Sequence, residues 1–414
     1  MTTDGVEPSA QYDVVVVGTG HGGAHAAASL RQHGFTGSVA LVGDEPDLPY
    51  ERPPLSKDYL SGDTAIERLL IHPASFWHDR GIDVLTGRRV VAVDADAHQV
   101  RCADEAVISY RHLVWAGGGV PRTLTCPGHD LGGVHTVRTT ADVDRIRAEL
   151  SSTSRVVVIG GGYIGLETAA VLGQAGKHIT VLEAQDRVLA RVAGAPLASF
   201  YQDEHQTRGV DIRLGVTVER IEGRDSRVSG VSLSDGELLP CDLVIVGIGI
   251  TPAVEPLLSA GAAGAGGVEI DEQCRTTLPD VFAIGDCAVH RNRYADGEMI
   301  RLESVQNAHD QATIVAKVLS GEDAEYDAVP WFWSKQYDLR LQTVGLSSGH
   351  DETVVRGDPA TRRFSVIYLR HGRVIALDCV NSVKDFVQGK RLVAEGSTVD
   401  ATLLADPTTP LNKL

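Results

Sequence analysis

The chain twice places a run of apolar, mostly β-branched residues directly before a glycine-rich turn and an alanine-rich segment. The first of these stretches begins at residue 12 and the second at residue 156. Short continuous apolar runs are typical of strands buried on both faces, and alanine-rich segments favour helices. Each stretch therefore predicts a strand, a tight turn and a helix in succession.

Elsewhere, apolar runs of strand length alternate with helix-like segments, which favours α/β layers over an all-α or all-β plan. Further strands are predicted at residues 38–42, 81–115 (as several short strands), 179–182, 242–250, 339–344, 364–369 and 374–380, and further helices at residues 141–150, 302–319 and 383–394. The run at 242–250 has the composition of one buried strand. Because 414 residues exceed one ordinary core, two or three domains are expected.

The glycines of the two turns have the spacing of a phosphate-binding loop. They are Gly18, Gly20, Gly22 and Gly23 in the first turn and Gly160, Gly162 and Gly165 in the second. In such a loop the first glycine makes the turn, the second lets the backbone approach a pyrophosphate, and the third allows close helix–strand packing. The amides and dipole of the helix N-terminus then attract the anion. The sequence therefore predicts two dinucleotide sites in one chain.

Acidic residues follow the second strand of each unit, where a carboxylate can accept hydrogen bonds from ribose hydroxyls. They are Asp44 and Glu45 in the first unit and Glu183 in the second. Glu183 would repel a 2′-phosphate, which favours NADH over NADPH. Arg187 and Arg191 follow on the same side, and either the cofactor phosphates or a 2′-phosphate would suit them.

Breaks in the pattern divide the chain into three predicted domains. Residues 1–115 and 246–328 form the first dinucleotide-binding domain, residues 116–245 the second, and residues 329–414 a C-terminal α+β domain. The predicted fold class is α/β, with two Rossmann-like domains and this smaller third domain. Asp286, at the end of a short strand, is placed for a hydroxylated ligand. The helix predicted at 302–319 begins near Ser304.

Two prolines, Pro53 and Pro54, predict a stiff, extended segment that carries Arg52 and Lys57. Rigidity favours a specific role for Lys57 over a solvated surface charge, although the spacing does not name that role. His21 lies beside the first phosphate site and is interpreted as a loop residue at the cofactor, not as a catalytic base.

The charge and composition of the chain argue against some classes of function. The formal net charge of −17 argues against a nucleic-acid binder and against attraction to an anionic membrane surface. Residues 331–414 hold 11 Lys and Arg against 9 Asp and Glu, a balance of +2, which leaves −19 for the rest. No apolar run approaches the length of a membrane span, and residues 1–11 lack a signal pattern, so a cytoplasmic location is expected.

The six cysteines are scattered, with no Cys-x-x-Cys pair and no Cys/His cluster. Isolated, mostly buried thiols are the expected outcome, and no metal site is predicted. An internal dithiol relay is therefore disfavoured.

Seven stretches together resemble the oxygenase-coupled NADH:ferredoxin reductases, the putidaredoxin reductase-like branch of the two-dinucleotide-binding flavoproteins with the glutathione-reductase fold. They are residues 18–23, 52–57, 160–167, 247–249, 283–286, 301–308 and 330–334. They occur in order between about residues 12 and 345. One departure is Gly117, where the family usually has Thr, so hinge geometry or flavin affinity can differ.

The resemblance implies that FAD occupies the first site and NADH the second. Asp44 would bind the adenosine ribose of FAD and Asp286 its ribityl chain, while Trp331 would cover part of the isoalloxazine. Lys57 would lie beside the flavin N5 and pair with Glu167, and these two are the expected catalytic residues. The other residues assigned to cofactor contact are Gly18, Gly20, His21, Gly22, Gly23, Glu45, Arg52, Ala116, Gly117, Arg122, Gly160, Gly162, Tyr163, Ile164, Gly165, Glu183, Arg191, Gly249, Ser304 and Val305.

The implied reaction is hydride transfer from NADH to FAD, followed by two single-electron transfers to an iron–sulfur ferredoxin that feeds a cytochrome monooxygenase or an aromatic-ring dioxygenase. A rubredoxin is an alternative acceptor. A local basic docking face for an acidic partner would consist of Arg291, Arg293, Lys335, Arg362, Arg363, Arg370 and Arg373.

Two other functions stay open. An NADH oxidase would use oxygen directly, but such oxidases often carry a cysteine where this chain has Ser56. An NADH-sensing flavoprotein would act through partner binding, and a long linker or targeting segment would support it. The chain is expected to be a monomer or a homodimer.

Overall fold

The computed structural model describes residues 10–414. The sequence predicts that residues 1–11 lack a signal pattern. Residues 1–9 of this segment lie outside the described residues. The strands, numbered in chain order, are β1 Ala10–Val17, β2 Val39–Val42, β3 Ile82–Leu85, β4 Val90–Asp94, β5 Gln99–Cys102, β6 Val107–Trp115, β7 Gly119–Pro121, β8 Val134–His135, β9 Arg155–Ile159, β10 His178–Glu183, β11 Asp211–Leu214, β12 Val218–Arg224, β13 Arg227–Leu233, β14 Leu238–Pro240, β15 Leu243–Val246, β16 Ile250–Pro252, β17 Val268–Ile270, β18 Val281–Ala283, β19 Ala288–Asn292, β20 Glu298–Arg301, β21 Trp331–Gln336, β22 Leu339–Gly345, β23 Glu352–Asp358, β24 Arg363–Arg370 and β25 Arg373–Val380. The α-helices are α1 His21–Gln32, α2 Ala74–Asp79, α3 Thr140–Glu149, α4 Tyr163–Gln174, α5 Ala195–Thr207, α6 Glu255–Ser259, α7 Val305–Leu319, α8 Val383–Glu395 and α9 Ala401–Ala405.

The chain divides into two compact units. The described residues of unit 1 run to Arg52, from Glu67 to Val120 and from Thr251 to Pro330. Unit 2 contains Pro53–Ile66, Pro121–Ile250 and Trp331–Leu414. Unit 2 thus holds both the second glycine loop and the C-terminal segment, so the predicted three-domain boundaries stay a prediction.

Unit 1 is built on a sheet with the strand order β3-β2-β1-β6-β5-β4, in which β18 also pairs with β6. Strands β2, β6 and β18 join it through parallel pairs, as a Rossmann-like unit requires. The apolar end of β1, Val14 to Val17, is buried, because helices cover a parallel sheet on its faces. Helices α1 and α7 pack against each other.

Unit 2 contains a parallel sheet with the order β11-β10-β9-β15-β8 and a small antiparallel sheet of β12, β13 and β14. Its C-terminal part is an antiparallel sheet with the order β21-β22-β25-β24-β23. Helix α8 packs on β22 and β25, and helix α4 contacts β21. This last contact brings the helix after the second glycine loop beside the C-terminal sheet. The predicted fold class, two Rossmann-like folds with an α+β C-terminal part, is confirmed.

Three local predictions were wrong. The single strand at 242–250 ends at Val246 and a new strand starts at Ile250, because Gly249 has a φ of +98° that a strand does not tolerate. Residues Pro53–Ser56 form a 3₁₀ helix instead of an extended segment, since the fixed φ of proline also suits the first turn of a helix. His21 is the first residue of α1 and not a loop residue.

Among residues 10–414, no helix combines the length and the apolar character that crossing a membrane requires.

Candidate cofactor-binding sites and the buried Lys57–Glu167 pair

The first glycine loop follows β1 in unit 1. Gly18 has a φ of +110°, and a β-carbon there would collide with the carbonyl oxygen of Ala116. A β-carbon on Gly23 would likewise collide with the carbonyl of Gly18. Gly20 is the N-cap of α1 and no side chain caps this helix end, so its first amides are available to an anion. These residues fit a bound pyrophosphate.

The acids after β2 lie beside this loop in the sequence but differ in their surroundings. Asp44 is exposed. Glu45 is half-buried, accepts a hydrogen bond from Arg52 at 2.5 Å and accepts another from the hydroxyl of Tyr50. Arg52 Nε lies 3.6 Å from a β-carbon built on Gly20. The structure therefore brings Arg52 and Glu45 to the loop, while the binding of a ribose by Asp44 stays a prediction.

Two further predicted segments converge on the first loop. A β-carbon built on Gly22 lies 3.5 Å from Ile284 and 3.6 Å from Ala308. Asp286 follows Ile284 closely, is half-buried, and its backbone carbonyl accepts a hydrogen bond of 2.8 Å from Arg301. These contacts place the Asp286 turn and the start of α7 near α1.

The N-terminus of α7 is capped by Ser304, whose hydroxyl accepts a hydrogen bond of 3.1 Å from the amide of Asn307. Val305, the first residue of the helix, is half-buried. His21 lies 5.8 Å from His309, measured between ring centroids. That contact ties the start of α1 to α7.

The departure at Gly117 has a physical explanation in unit 1. The indole N–H of Trp115 donates a hydrogen bond of 2.7 Å to the carbonyl of Ala253. A β-carbon built on Gly117 would lie 2.9 Å from that indole nitrogen and 3.0 Å from that carbonyl oxygen. The indole and the carbonyl thus occupy the space into which a side chain at 117 would grow.

The second glycine loop, after β9 in unit 2, has the same construction. Gly160 has a φ of +111°, and a β-carbon on it would collide with the carbonyl of Gly247. A β-carbon on Gly165 would collide with the carbonyl of Gly160. At Gly162, the N-cap of α4, a built β-carbon meets nothing within 4 Å, and no side chain caps this helix end. The loop fits the pyrophosphate of a second dinucleotide.

Glu183 is held in place at the end of β10. Its carboxylate accepts hydrogen bonds from the amide of Gly161 at 2.7 Å and from the amide of Gln185 at 2.9 Å. The two backbone donors fix the carboxylate beside the phosphate loop, the geometry expected for a group that contacts ribose hydroxyls.

The arginines after β10 differ. Arg187 donates to the carbonyl of Ala190 at 3.2 Å, whereas Arg191 is exposed and lies 3.7 Å from a β-carbon built on Gly249. The amide of Arg122 donates to the carbonyl of Gly249 at 2.9 Å. The structure thus brings together three residues predicted to bind the cofactor: Arg122, Arg191 and Gly249.

The first residues of α4 offer an aromatic and an apolar side chain. Tyr163 lies 4.7 Å from Phe332 between ring centroids. Burial and the nearby charge of Asp378 raise the pKa of Tyr163, so its phenol stays neutral. Ile164 is 45% exposed. Cofactor contact by these residues stays a prediction.

The expected ion pair between Lys57 and Glu167 is present in unit 2. Glu167 is 2% exposed, and its Oε2 accepts hydrogen bonds from Lys57 Nζ and, at 2.6 Å, from Ser56 Oγ. Lys57 Nζ also donates to the carbonyl of Pro53 at 3.0 Å. A buried pair of this kind is strongly destabilised when one partner is removed, because the other charge is left uncompensated. The action of the pair at a flavin stays a prediction.

Trp331 opens the C-terminal part of unit 2. Its ring centroid lies 5.7 Å from that of Trp333 and 5.9 Å from that of Phe386. Covering of an isoalloxazine by Trp331 stays a prediction.

Sequence reasoning missed the hydrogen-bonding residues around Glu167 other than Lys57. Ser334 Oγ donates to Glu167 Oε1 at 2.6 Å, and Gln336 and His205 follow it in a buried chain of hydrogen bonds. Ser56 and Ser334 both lie in stretches that carry the resemblance, which was a usable signal. Nothing in the local sequence of His205, in the last turn of α5, distinguishes it.

A second buried acid was also missed. Asp378 is 3% exposed, and the hydroxyl of Tyr368 donates to it at 2.6 Å while accepting from the amide of Gly194 at 3.0 Å. Burial raises the pKa of Asp378 to about 7. A carboxylate within an otherwise apolar strand was the available signal. The contact fixes the loop that carries Arg187 and Arg191.

All six cysteines are free, and five of them are buried. Burial raises the pKa of every one of these thiols. A thiol with a raised pKa is a poor nucleophile. Nothing about them suggests a redox-active pair.

The chain matches two protein families and several known proteins. The family described as pyridine nucleotide-disulphide oxidoreductase matches residues 12–312, and the family described as reductase C-terminal matches residues 331–414. The chain is 57% identical over 404 residues to the 5,5'-dehydrodivanillate O-demethylase ferredoxin reductase subunit of Sphingobium sp. strain SYK-6, covering 97% of this chain and 98% of that protein.

Two other matches span nearly the whole chain. A ferredoxin--NAD(P)(+) reductase of Sphingomonas sp. is 57% identical over 401 residues, which cover 97% of each protein. A chain of the covalent putidaredoxin reductase–putidaredoxin complex superposes with a TM-score of 0.94 at 40% identity and covers 98% of both chains. These matches confirm the glutathione-reductase-like fold.

Proposed function

Because the chain belongs to the pyridine nucleotide-disulphide oxidoreductase family, we propose that it is an FAD-dependent NADH:ferredoxin reductase. It passes electrons singly to a small iron–sulfur protein, which feeds an oxygenase. The observation that carries the proposal is the buried Lys57–Glu167 pair in a chain that also has two open glycine loops. The full-length match to reductases that serve an O-demethylase and a putidaredoxin supports the same acceptor class.

The chain's own residues bind and orient the two dinucleotides. The α1 loop holds the pyrophosphate of FAD and the α4 loop that of NADH. When bound there, FAD would supply a group that can take up a hydride and give up single electrons. Lys57 supplies a positive charge where negative charge develops, and Glu167 keeps that ammonium group in a fixed position. Glu183, held by two amides, binds the ribose hydroxyls and disfavours the 2′-phosphate of NADPH.

The six thiols take no part, since five are buried and the pKa of each is raised. This suits outer-sphere transfer to a separate iron–sulfur protein, because such a transfer needs no protein nucleophile. Exposed basic side chains, among them Arg363 and Arg373, belong to the face proposed to attract an acidic partner. Arg362 already pairs with Asp338, which reduces its contribution. A cytoplasmic location and a monomeric or homodimeric state are part of the same proposal.

The test is anaerobic stopped-flow reduction of the holoenzyme by NADH, followed by mixing with a [2Fe–2S] ferredoxin, a rubredoxin or oxygen. Rapid reoxidation by the ferredoxin, with slow reoxidation by oxygen, is the expected result. Reoxidation by oxygen that is as fast as reoxidation by any iron–sulfur protein would instead indicate an oxidase.

A further inference from the structure

A continuous chain of polar side chains runs from Glu167 to Tyr337 inside unit 2. Ser334 Oγ lies 2.6 Å from Glu167 Oε1, and Gln336 Nε2 lies 3.3 Å from Ser334 Oγ. His205 Nε2 lies 2.8 Å from Gln336 Oε1, and the hydroxyl of Tyr337 lies 3.1 Å from His205 Nδ1. The four residues before Tyr337 in this chain are at most 5% exposed, so water does not compete for these hydrogen bonds.

The direction of each hydrogen bond follows from chemistry. An ionised carboxylate only accepts, so Ser334 must donate its single hydroxyl proton to Glu167. Ser334 then accepts from the amide nitrogen of Gln336, which turns Gln336 Oε1 towards His205. His205 must therefore carry its proton on Nε2. One proton position on the imidazole thus determines the orientation of a carboxylate three hydrogen bonds away.

The surroundings of His205 keep it neutral. The side chain of His205 is fully buried, and this burial lowers its pKa. The charge of Arg208 also lowers the pKa, whereas the hydrogen bond to Gln336 and the charge of Glu204 raise it. A neutral imidazole has one donor and one acceptor nitrogen, as this chain of hydrogen bonds requires.

We propose that His205 is a positioning residue for the Lys57–Glu167 pair. Its Nε2–H fixes the amide of Gln336, which keeps the Ser334 hydroxyl directed at Glu167 Oε1. Lys57 and Ser56 hold the other oxygen, so the carboxylate cannot turn and the ammonium group stays in place. The inference rests on the proposed function, in which this pair acts at the flavin.

The decisive comparison is between His205→Leu and His205→Gln. The side-chain nitrogen of glutamine can occupy the position of the imidazole Nε2 and donate in the same direction, whereas leucine only fills space. We expect His205→Leu to slow flavin reduction by NADH about tenfold, the rate equivalent of one lost buried hydrogen bond between neutral groups, and His205→Gln to restore most of the rate. Equal rates in the two variants would overturn the proposal.

Tyr337→Phe is the matched control, because it removes a hydrogen bond on the other nitrogen of the same imidazole. Its rate should stay close to wild type. A loss as large as that of His205→Leu would contradict the proposal. FAD content and thermal unfolding of each variant separate a loss of rate from a loss of folding.

A second measurement does not depend on activity. NMR spectra of the holoenzyme labelled with ¹⁵N-histidine report which imidazole nitrogen carries the proton, and His205→Gln assigns the signal. A neutral Nε2–H form is expected, and an Nδ1–H form would overturn the proposed hydrogen-bond directions.

Glu167→Gln separates this inference from the proposed function. If Glu167→Gln reduces flavin at the wild-type rate, the proposed action of Glu167 fails. If Glu167→Gln is slow while His205→Leu matches wild type, only the positioning by His205 fails.

Discussion

Replacing Asp378 by Asn tests whether a buried acid in unit 2 makes the stability of the protein depend on pH. Asp378 is 3% exposed and accepts one hydrogen bond of 2.6 Å from Tyr368. Burial raises its pKa to about 7 in the folded protein. An ordinary Asp has a pKa of about 3.9, which serves as the value in the unfolded chain.

The sign follows from proton counting. Between these two pKa values the folded state binds a proton at Asp378 that the unfolded state has released, so the contribution of Asp378 to the free energy of unfolding falls as the pH rises from about 4 to about 7 and is then constant. The difference corresponds to roughly 4 kcal/mol as an order of magnitude. The neighbouring phenols of Tyr163, Tyr201 and Tyr368 all have raised pKa values and stay neutral across this range.

Asn keeps the shape and an acceptor for Tyr368 but has no proton to lose. Urea unfolding of wild type and Asp378→Asn, followed by circular dichroism between pH 4 and pH 8, should therefore show the variant gaining stability relative to wild type as the pH rises. Asp203→Asn, which removes an exposed carboxylate from α5, is the control and should run parallel to wild type. A stability difference for Asp378→Asn that does not grow with pH would refute the reasoning.

Three further predictions concern the cofactor sites. Glu183→Ala should weaken NADH binding by about tenfold with less effect on NADPH, as measured by titration; equal losses would show that Glu183 does not contact the ribose. Lys57→Met should slow flavin reduction by about a hundredfold in stopped-flow experiments, since it removes the positive charge and leaves the buried carboxylate of Glu167 without its ion-pair partner. A full rate with FAD retained would eliminate the proposed action of Lys57. Gly117→Thr should destabilise the holoenzyme by about 1–3 kcal/mol, because the new side chain collides with Trp115; an unchanged melting temperature would contradict this explanation.

The local chemistry of the glycine loops could be predicted because it lies within short stretches of sequence. The turn glycines, the helix that follows and the anchored Glu183 all belong to one βαβ segment, and the Lys57–Glu167 pair followed from the resemblance. The strand predicted at 242–250 failed because a hydrophobic composition does not reveal that Gly249 needs a positive φ.

The hydrogen bonds around the pair could not be predicted in the same way. Ser334 is 167 residues from Glu167, and His205 is 131 residues from Gln336, so no local pattern connects them. The conflict between a side chain at 117 and Trp115 also depends on Ala253, which lies 138 residues beyond Trp115. The packing of elements that are distant in the sequence determines such contacts, so they cannot be predicted from sequence periodicity.

The three segments that meet at Glu167 are far apart in the chain, and this has a consequence during synthesis. Lys57 lies 110 residues before Glu167, and Ser334 lies 167 residues after it. A nascent chain therefore exposes the lysine and the glutamate long before β21 leaves the ribosome, and the carboxylate gains its last donor only near the end of translation. Closing such long loops is entropically costly and slow. A chain truncated before β21 would keep both glycine loops and the Lys57–Glu167 pair but lack the hydrogen bond from Ser334, so the carboxylate is fully anchored only after the C-terminal sheet has been made.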